Sequence, residues 1–302
     1  MAGGPFQFLF NENINIFFRN IGTPLLDTLF KALTDAGSEP VYILLASIIF
    51  WCINKKTGIR AMYVILFSAY LAILAKNFFG MLRPPAYLHK VTENEFGFPS
   101  GHAQISTGFY GYLGLRSKRT NIVIVGTIAI FLISLSRIYL GVHYTGDVVG
   151  GIIFGFIVAF ISYKSESEVL NILKRQSRNT KYLIAIFLPI ILILIASLQG
   201  SLFKEQIELG LVMGSVGFGY LLEEEKISFS DVKNKKQAVE RAFIGILFLC
   251  SIYLISGLLS LISPIFIYVK YVVLGFSSLF VVPWIFTKIE EKLNVKNRPE
   301  YE

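Results

Sequence analysis

Apolar residues in this chain come in block after block of about 15 to 23, separated by short polar stretches, and this spacing restricts the fold more than any other feature. A bilayer core about 30 Å thick needs roughly 20 apolar residues to cross as a helix. Lipid offers no hydrogen bonds, so each crossing segment must satisfy its own backbone. The expected class is an all-α polytopic membrane bundle. Composition agrees, with 54% hydrophobic residues against only 16% charged, and a mean hydropathy of +0.62. Spans are expected near 39–54, 58–79, 101–115, 120–138, 144–163, 181–198, 206–222, 242–262 and 265–287, the third short and weak and the last long enough to tilt. Residues 5–37 mix polar and apolar positions, which predicts an N-terminal segment (1–38) of amphipathic helices lying in the membrane interface. No basic residue precedes the apolar stretch of MAGGPFQFLF, so the first span is expected to serve as the targeting signal.

The net charge of +8 could suggest a nucleic-acid partner. The basic residues instead sit in short loops between apolar blocks, and 20 of the 28 Lys and Arg fall on one set of alternate loops and the C-terminal tail. That bias predicts a cytoplasmic side carrying the loops near 55–60, 115–120, 164–181 and 223–241 plus the C-terminus. The N-terminal segment and the loops at 80–100, 139–143, 199–205 and 263–264 would face outward. The run Glu223-Glu224-Glu225-Lys226 reads as a solvated cytoplasmic loop. Cys52 and Cys250 each lie inside an apolar block and read as small core or lipid-facing residues, with no disulfide or metal pattern.

Three segments place polar groups where a membrane discourages them. Lys76 and Arg83 are seven residues apart, close to two helical turns, so a helix continuing to Pro84 would turn both cations the same way. In Pro99-Ser100-Gly101-His102, Ser100 is a good helix cap and Gly101 admits a ligand close to the backbone. The free N–H groups of a helix start make an anion site. In the third, Ser136-Arg137 is followed by His143 and Asp147. If the fifth span begins near 143, His143 and Asp147 share one helix face, Asp147 accepts from one ring nitrogen, and the other nitrogen is free to attack. Arg137 can fork onto phosphate oxygens. All three reach one predicted membrane face, bringing cations, a helix N-terminus, two histidines and a carboxylate together, as phosphoryl transfer requires. In the outward loop between the first two segments, Glu93, Glu95 and Phe98 could touch a substrate, while His89 reads as a solvated or interfacial residue. Glycines 146, 150, 151 and 155, and again Gly210 and Gly214, read as close helix packing, with a dimer face the alternative for the latter pair.

The ordered set Lys76-x6-Arg83-Pro84, Pro99-Ser100-Gly101-His102 and Ser136-Arg137-x5-His143-x3-Asp147 resembles the three-part signature of the type-2 phosphatidate phosphatase superfamily, at every signature position. That superfamily includes lipid phosphate and polyprenyl diphosphate phosphatases, glucose-6-phosphatase and vanadium haloperoxidases. The resemblance covers about residues 40–165 and implies a six-helix catalytic core (39–165, completed by the next span) with a C-terminal transmembrane extension (166–302) of about three further helices. It implies that His143 attacks phosphorus and becomes phosphohistidine, and that Asp147 orients and charge-balances it. His102 would protonate the leaving oxygen. Lys76, Arg83 and Arg137 would bind the phosphoryl oxygens with Ser100 and the Gly101 backbone. No metal or other cofactor is expected. The expected activity is hydrolysis of a lipid phosphate or diphosphate at the extracytoplasmic face of a plasma or inner membrane. A soluble ester such as glucose 6-phosphate, transfer to a second lipid, and a non-catalytic lipid-binding scaffold remain the alternatives.

Overall fold

The computed structural model describes residues 7–198 and 204–296. The described chain is helical throughout. A short turn at Gln7–Phe10 is followed by α1 (Asn13–Ile21), α2 (Pro24–Asp35), α3 (Glu39–Cys52), α4 (Lys55–Phe79), α5 (Gly101–Ser117) and α6 (Thr120–Tyr139). Then come α7 (Thr145–Arg175), α8 (Arg178–Ser197), α9 (Lys204–Lys226), α10 (Lys235–Ser260), α11 (Ile265–Phe276) and α12 (Val282–Lys296). Most of the expected 199–205 loop, and the tail with Arg298, lie outside the described residues.

All nine expected spans are helices, and among the described residues six unbroken ones are long and apolar enough to cross a membrane: α4, α6, α7, α8, α10, and the continuous stretch Ile265–Lys292. The other three, α3, α5 and α9, fall short of that measure by length or composition alone. With 14 residues, α3 reaches only about 21 Å. Together with α2, from which it is bent by 53°, it is long and apolar enough for one broken span. α5 has 17 residues, and its buried face includes Gln104, Ser106 and Thr107. Each donates inside the protein: Gln104 Nε2 to Ser68 O at 3.0 Å, Ser106 to Ala103 O at 3.0 Å and Thr107 to Ala103 O at 2.7 Å. A helix wrapped by protein need not be apolar.

Two expected loops are helical instead. α7 runs on through most of the expected 164–181 loop to Arg175. Its extension is held by Arg116, whose guanidinium grips Glu166, and by the Tyr112 hydroxyl, which donates to the same carboxylate at 2.9 Å. α9 likewise continues to Lys226. Glu223, read from sequence as solvated, is fully buried, paired with Lys55 and accepting from the Phe229 N–H at 3.0 Å.

By internal packing the chain divides into two compact units, Met1–Ile43 with Ala61–Asn171, and Leu44–Arg60 with Ile172–Glu302. In the first, α1, α2 and α5 pack on α6. α7 presents glycines to its neighbours: a methyl on Gly151 would meet Ser100 O at 2.5 Å, and one on Gly155 would meet Gln104 O at 2.3 Å. Close packing was the sequence reading of these positions. In the second unit, α8, α9 and α11 pack together, and Gly210 seats Ile193. The last membrane stretch loosens into a π turn at Ser277–Val281. Pro283 has no N–H to give the carbonyl four residues earlier. Trp51 uses the loosened turn, donating its indole N–H to Ser278 O at 2.7 Å.

Candidate active site

The first unit gathers the three polar segments of the sequence. Lys76 stands in the last turn of α4, which ends at Phe79 because Gly80 takes φ +58°, the left-handed region that glycine enters at little cost. The helix therefore does not run on to Pro84, and Arg83 comes from the following loop rather than from a shared helix face. That loop folds back by bonds of its own: Gly97 N–H to Met81 O at 2.7 Å, Lys90 N–H to Leu140 O at 2.9 Å, and His89 Nε2–H to Pro84 O at 2.8 Å. His89 is thus a half-buried loop tie. At Gly141 (φ +74°) the 140–143 turn presses against the loop so closely that a Cβ would sit 2.0 Å from Leu88 O.

Ser100 occupies the cap position of α5, but its side chain makes no capping bond. Its hydroxyl is buried with no partner among the described residues, whereas its backbone N–H donates to Asp147 O at 2.9 Å. The expected cap is corrected: the hydroxyl is spare because the Ser100 N–H, rather than its oxygen, ties the segment down. His102 lies half-buried in the first turn of α5. The Lys76 ammonium lies 4.0 Å from where a Cβ on Gly101 would stand, so glycine leaves the helix start open toward it.

His143 precedes α7, which begins at Thr145, so His143 and Asp147 do not share a helix face. They meet across the helix start. Asp147 Oδ2 accepts from the Tyr144 N–H at 2.8 Å and lies 3.3 Å from His143 Nδ1. On the far side of the ring, Arg83 Nη1 donates to His143 Nε2 at 2.9 Å. A guanidinium has no lone pair to accept with, so this bond assigns the lone pair to Nε2 and the proton to Nδ1. His143 is 1% exposed and Asp147 0%. Burial first, and then the charges of Arg83, Arg137 and Lys76, hold the His143 pKa well below the usual 6.5. The ring is a neutral base with its Nε2 lone pair facing Arg83.

Arg83 also donates to Glu95 O at 2.7 Å and to Val142 O at 2.9 Å. Arg137, 2% exposed, donates to Thr34 Oγ1 at 2.7 Å, and its other terminal nitrogen pairs with Glu93. Glu93 bridges to Arg83 at 3.4 Å, while Glu95 pairs with Lys76. Burial opposes charge on Glu93, but Arg137, Arg83 and Lys76 outweigh it and pull its pKa below the ordinary range. The three cations that the sequence reading assigned to phosphate are thus each in contact with a carboxylate of the 80–100 loop. Sequence reasoning raised Glu93 and Glu95 only as loop residues that could touch a substrate. Their spacing of two, with Lys76 and Arg83 upstream, was the signal available. Asn15 and Thr34 were missed, and nothing local marks them: their partners are 123, 128 and 103 residues away.

Among the described residues, no group of three or more His, Cys, Asp or Glu is arranged to hold a metal ion.

Comparison with known proteins matches residues 57–171 to the PAP2 superfamily. An undecaprenyl-diphosphatase of Sulfolobus acidocaldarius is 32% identical over 166 residues, which span 51% of this chain and 79% of that protein. The chain belongs to the PAP2 superfamily. Residues 207–294 match a second PAP2 description, the transmembrane extension of PAP2 superfamily phosphatases. The chain is also similar to phosphatidylglycerophosphatase B of Bacillus subtilis, 26% identical over 47% of this chain and 75% of that one. A dihydrosphingosine 1-phosphate phosphatase of Schizosaccharomyces pombe is 29% identical over 56% of this chain and 44% of its own length. The PAP2 match contains the cationic loop, the α5 start and the His143 turn, but not α1 or α2. This is an integral-membrane protein of a phosphatase family, its site built mostly inside the matched segment and its second unit largely the extension.

Proposed function

We propose that this PAP2 protein hydrolyses a lipid-borne phosphate or diphosphate at the extracytoplasmic face through a phosphohistidine on His143, with no metal ion. The observation that carries the reading is the orientation of His143, with Nδ1 against Asp147 and Nε2 against Arg83. In the first step the Nε2 lone pair attacks phosphorus and the bond from phosphorus to the leaving oxygen breaks. That oxygen takes a proton from the His102 imidazolium, a charge that burial and the nearby Arg137, Lys76 and Arg83 disfavour until the substrate phosphate offsets those cations. Asp147 balances the charge left on the phosphorylated ring. In the second step water attacks phosphorus, gives a proton to His102, and the P–N bond breaks to return Nε2 and release phosphate. Lys76, Arg83 and Arg137 offset the charge on the equatorial oxygens, work a metal ion performs elsewhere. The spare Ser100 hydroxyl and the open backbone at Gly101 suit the same oxygens.

Lipid is favoured over a soluble ester by what surrounds the cations. Phe78, Phe79 and Leu82, between Lys76 and Arg83, are 76%, 45% and 78% exposed. Phe79 packs edge-on to Phe98, whose ring also meets Phe10 and Phe154. An exposed apolar rim beside a phosphate site suits a head group whose tail stays in the bilayer. The extracytoplasmic placement rests on the charge bias of the loops.

The test is phosphate release in detergent with chelator present, by wild type and His143→Ala, from polyprenyl diphosphate, phosphatidate, a sphingoid-base phosphate and glucose 6-phosphate. The expected result is release from a lipid by wild type alone. Release only from the sugar phosphate, or complete loss in chelator, overturns the reading.

A further inference from the structure

The N-terminal helices α1 and α2 lie outside the PAP2 match, yet each sends one buried polar side chain to a residue of the site. Asn15 of α1 is 2% exposed. Its Nδ2 donates to Ile138 O at 2.9 Å and to His143 O at 3.0 Å. Ile138 follows Arg137 at the end of α6, and His143 closes the turn that leads into α7. One amide therefore ties together both ends of the 138–143 turn, using both of its N–H groups. Thr34 of α2 is 6% exposed, and its Oγ1 accepts from Arg137 Nη1. Among the described residues Arg137 Nε has no partner, and Thr34 is its one neutral side-chain anchor beside the Glu93 carboxylate.

The packing of both helices suits this task. Phe18 and Phe30 lie against Tyr139, Phe30 stacked at 3.9 Å. The Tyr139 hydroxyl donates to Asp27 Oδ1 at 2.6 Å, and Lys90 from the site loop donates to the same oxygen at 2.6 Å. Phe10 fills the space that Gly146 leaves open, beside Tyr144. These contacts reach the end of α6, the 138–143 turn and the cationic loop.

We propose that Asn15 and Thr34 are positioning residues for this chemistry, Asn15 setting the His143 ring through its main chain and Thr34 setting the Arg137 guanidinium. The inference rests on His143 and Arg137 acting as described under the proposed function. It separates the two side chains kinetically. Misplacing the nucleophile lowers kcat and leaves phosphate affinity alone, whereas loosening Arg137 weakens phosphate affinity.

The experiment uses full-length protein in detergent, with a lipid phosphate as substrate, inorganic phosphate as competitive inhibitor, and a thermal melt of every variant. Asn15→Ala is expected to lower kcat by about tenfold or more while the phosphate Ki stays within about twofold of wild type. Thr34→Val is expected to raise the phosphate Ki by about fivefold, and Thr34→Ser, which keeps the acceptor oxygen, to restore it. Variants that lose activity only in proportion to their unfolded fraction, with kcat and Ki per folded molecule unchanged, overturn the proposal. So does a Thr34→Ser protein that behaves like Thr34→Val. His143→Ala run beside them separates the two levels. Activity in His143→Ala overturns the phosphohistidine reading, whereas a dead His143→Ala beside an Asn15→Ala that matches wild type overturns this inference alone.

Discussion

Each of the two units buries an arginine of a long helix, Arg137 in the last turn of α6 and Arg241 in the second turn of α10, and the two are held in opposite ways. Arg241 of the second unit donates to both oxygens of Glu290 at 2.8 and 3.0 Å, to Ser230 O at 2.9 Å and to Trp51 O at 3.2 Å. Its guanidinium also lies over the rings of Phe286 and Phe229, at 4.4 and 5.2 Å from their centroids. Its carboxylate stands on α12, a fixed helix. Arg137 of the first unit has one neutral anchor, one loop carboxylate and an unpaired Nε. In the same unit, the Ser100 hydroxyl and Asp147 Oδ1 are also buried without partners among the described residues. A charge that grips both oxygens of a helix-borne carboxylate, two backbone carbonyls and two ring faces is structural, because losing those partners would leave it buried and unpaired. A charge that faces a loop carboxylate, with hydrogen-bonding capacity left over, has what the proposed function requires of it: a partner that a phosphate could displace.

The contrast can be broken by substitution. The largest effect is expected at His143→Ala: turnover per folded molecule should fall at least about 10³-fold with the melting temperature little changed. Next comes Arg241→Ala, which leaves Glu290 without its cation. It should cost about 3–5 kcal/mol of stability while kcat per folded molecule stays near wild type. A denaturation curve and a specific activity on the same sample read both. A large kcat loss there would erase the distinction between the units. Glu93→Gln should tighten inhibition by inorganic phosphate about threefold or more, because a competing anion is gone, and Glu290→Gln should leave that Ki unchanged. Weaker phosphate binding in Glu93→Gln would make Glu93 an organiser of the cations instead of their exchangeable partner.

The smallest expected effect is in pH dependence. His143 must be neutral to attack, and burial with three nearby cations lowers its pKa in the folded protein. Protonation therefore sets in below the ordinary 6.5, and the acid limb of kcat/KM should lie below that value. Arg83→Gln removes one of those cations and should move the limb upward. A limb that stays put in Arg83→Gln would mean that another group controls it.

Much of the site was legible because its signature is local. Spacings of seven and four place Lys76 near Arg83 and His143 near Asp147 whether the chain between them is helix or turn, so the grouping survived two errors about helix ends. Those errors have physical causes. Gly80 stops α4 before Arg83, and Asp147 bonds the Tyr144 N–H, which places His143 ahead of α7. Apolar blocks marked every long helix but not where each ends. The polar stretch after residue 163 stays helical because Arg116 and Tyr112 hold Glu166, partners some 50 residues away. Long-range polar pairs were invisible throughout: Lys55 with Glu223, Arg241 with Glu290, Asn15 with the His143 turn. Each half of such a pair looks like an ordinary loop or surface residue until the fold brings the other half to it.

The central claim is that His143 carries the phosphoryl group. The most direct measurement is to mix purified protein, in chelator, with a lipid substrate radiolabelled at the transferred phosphate, quench in alkali within a turnover, and map the label. The account predicts acid-labile, alkali-stable label on the peptide containing His143, absent in His143→Ala. Turnover in wild type with no label at His143 under single-turnover conditions, or turnover in His143→Ala, would contradict it.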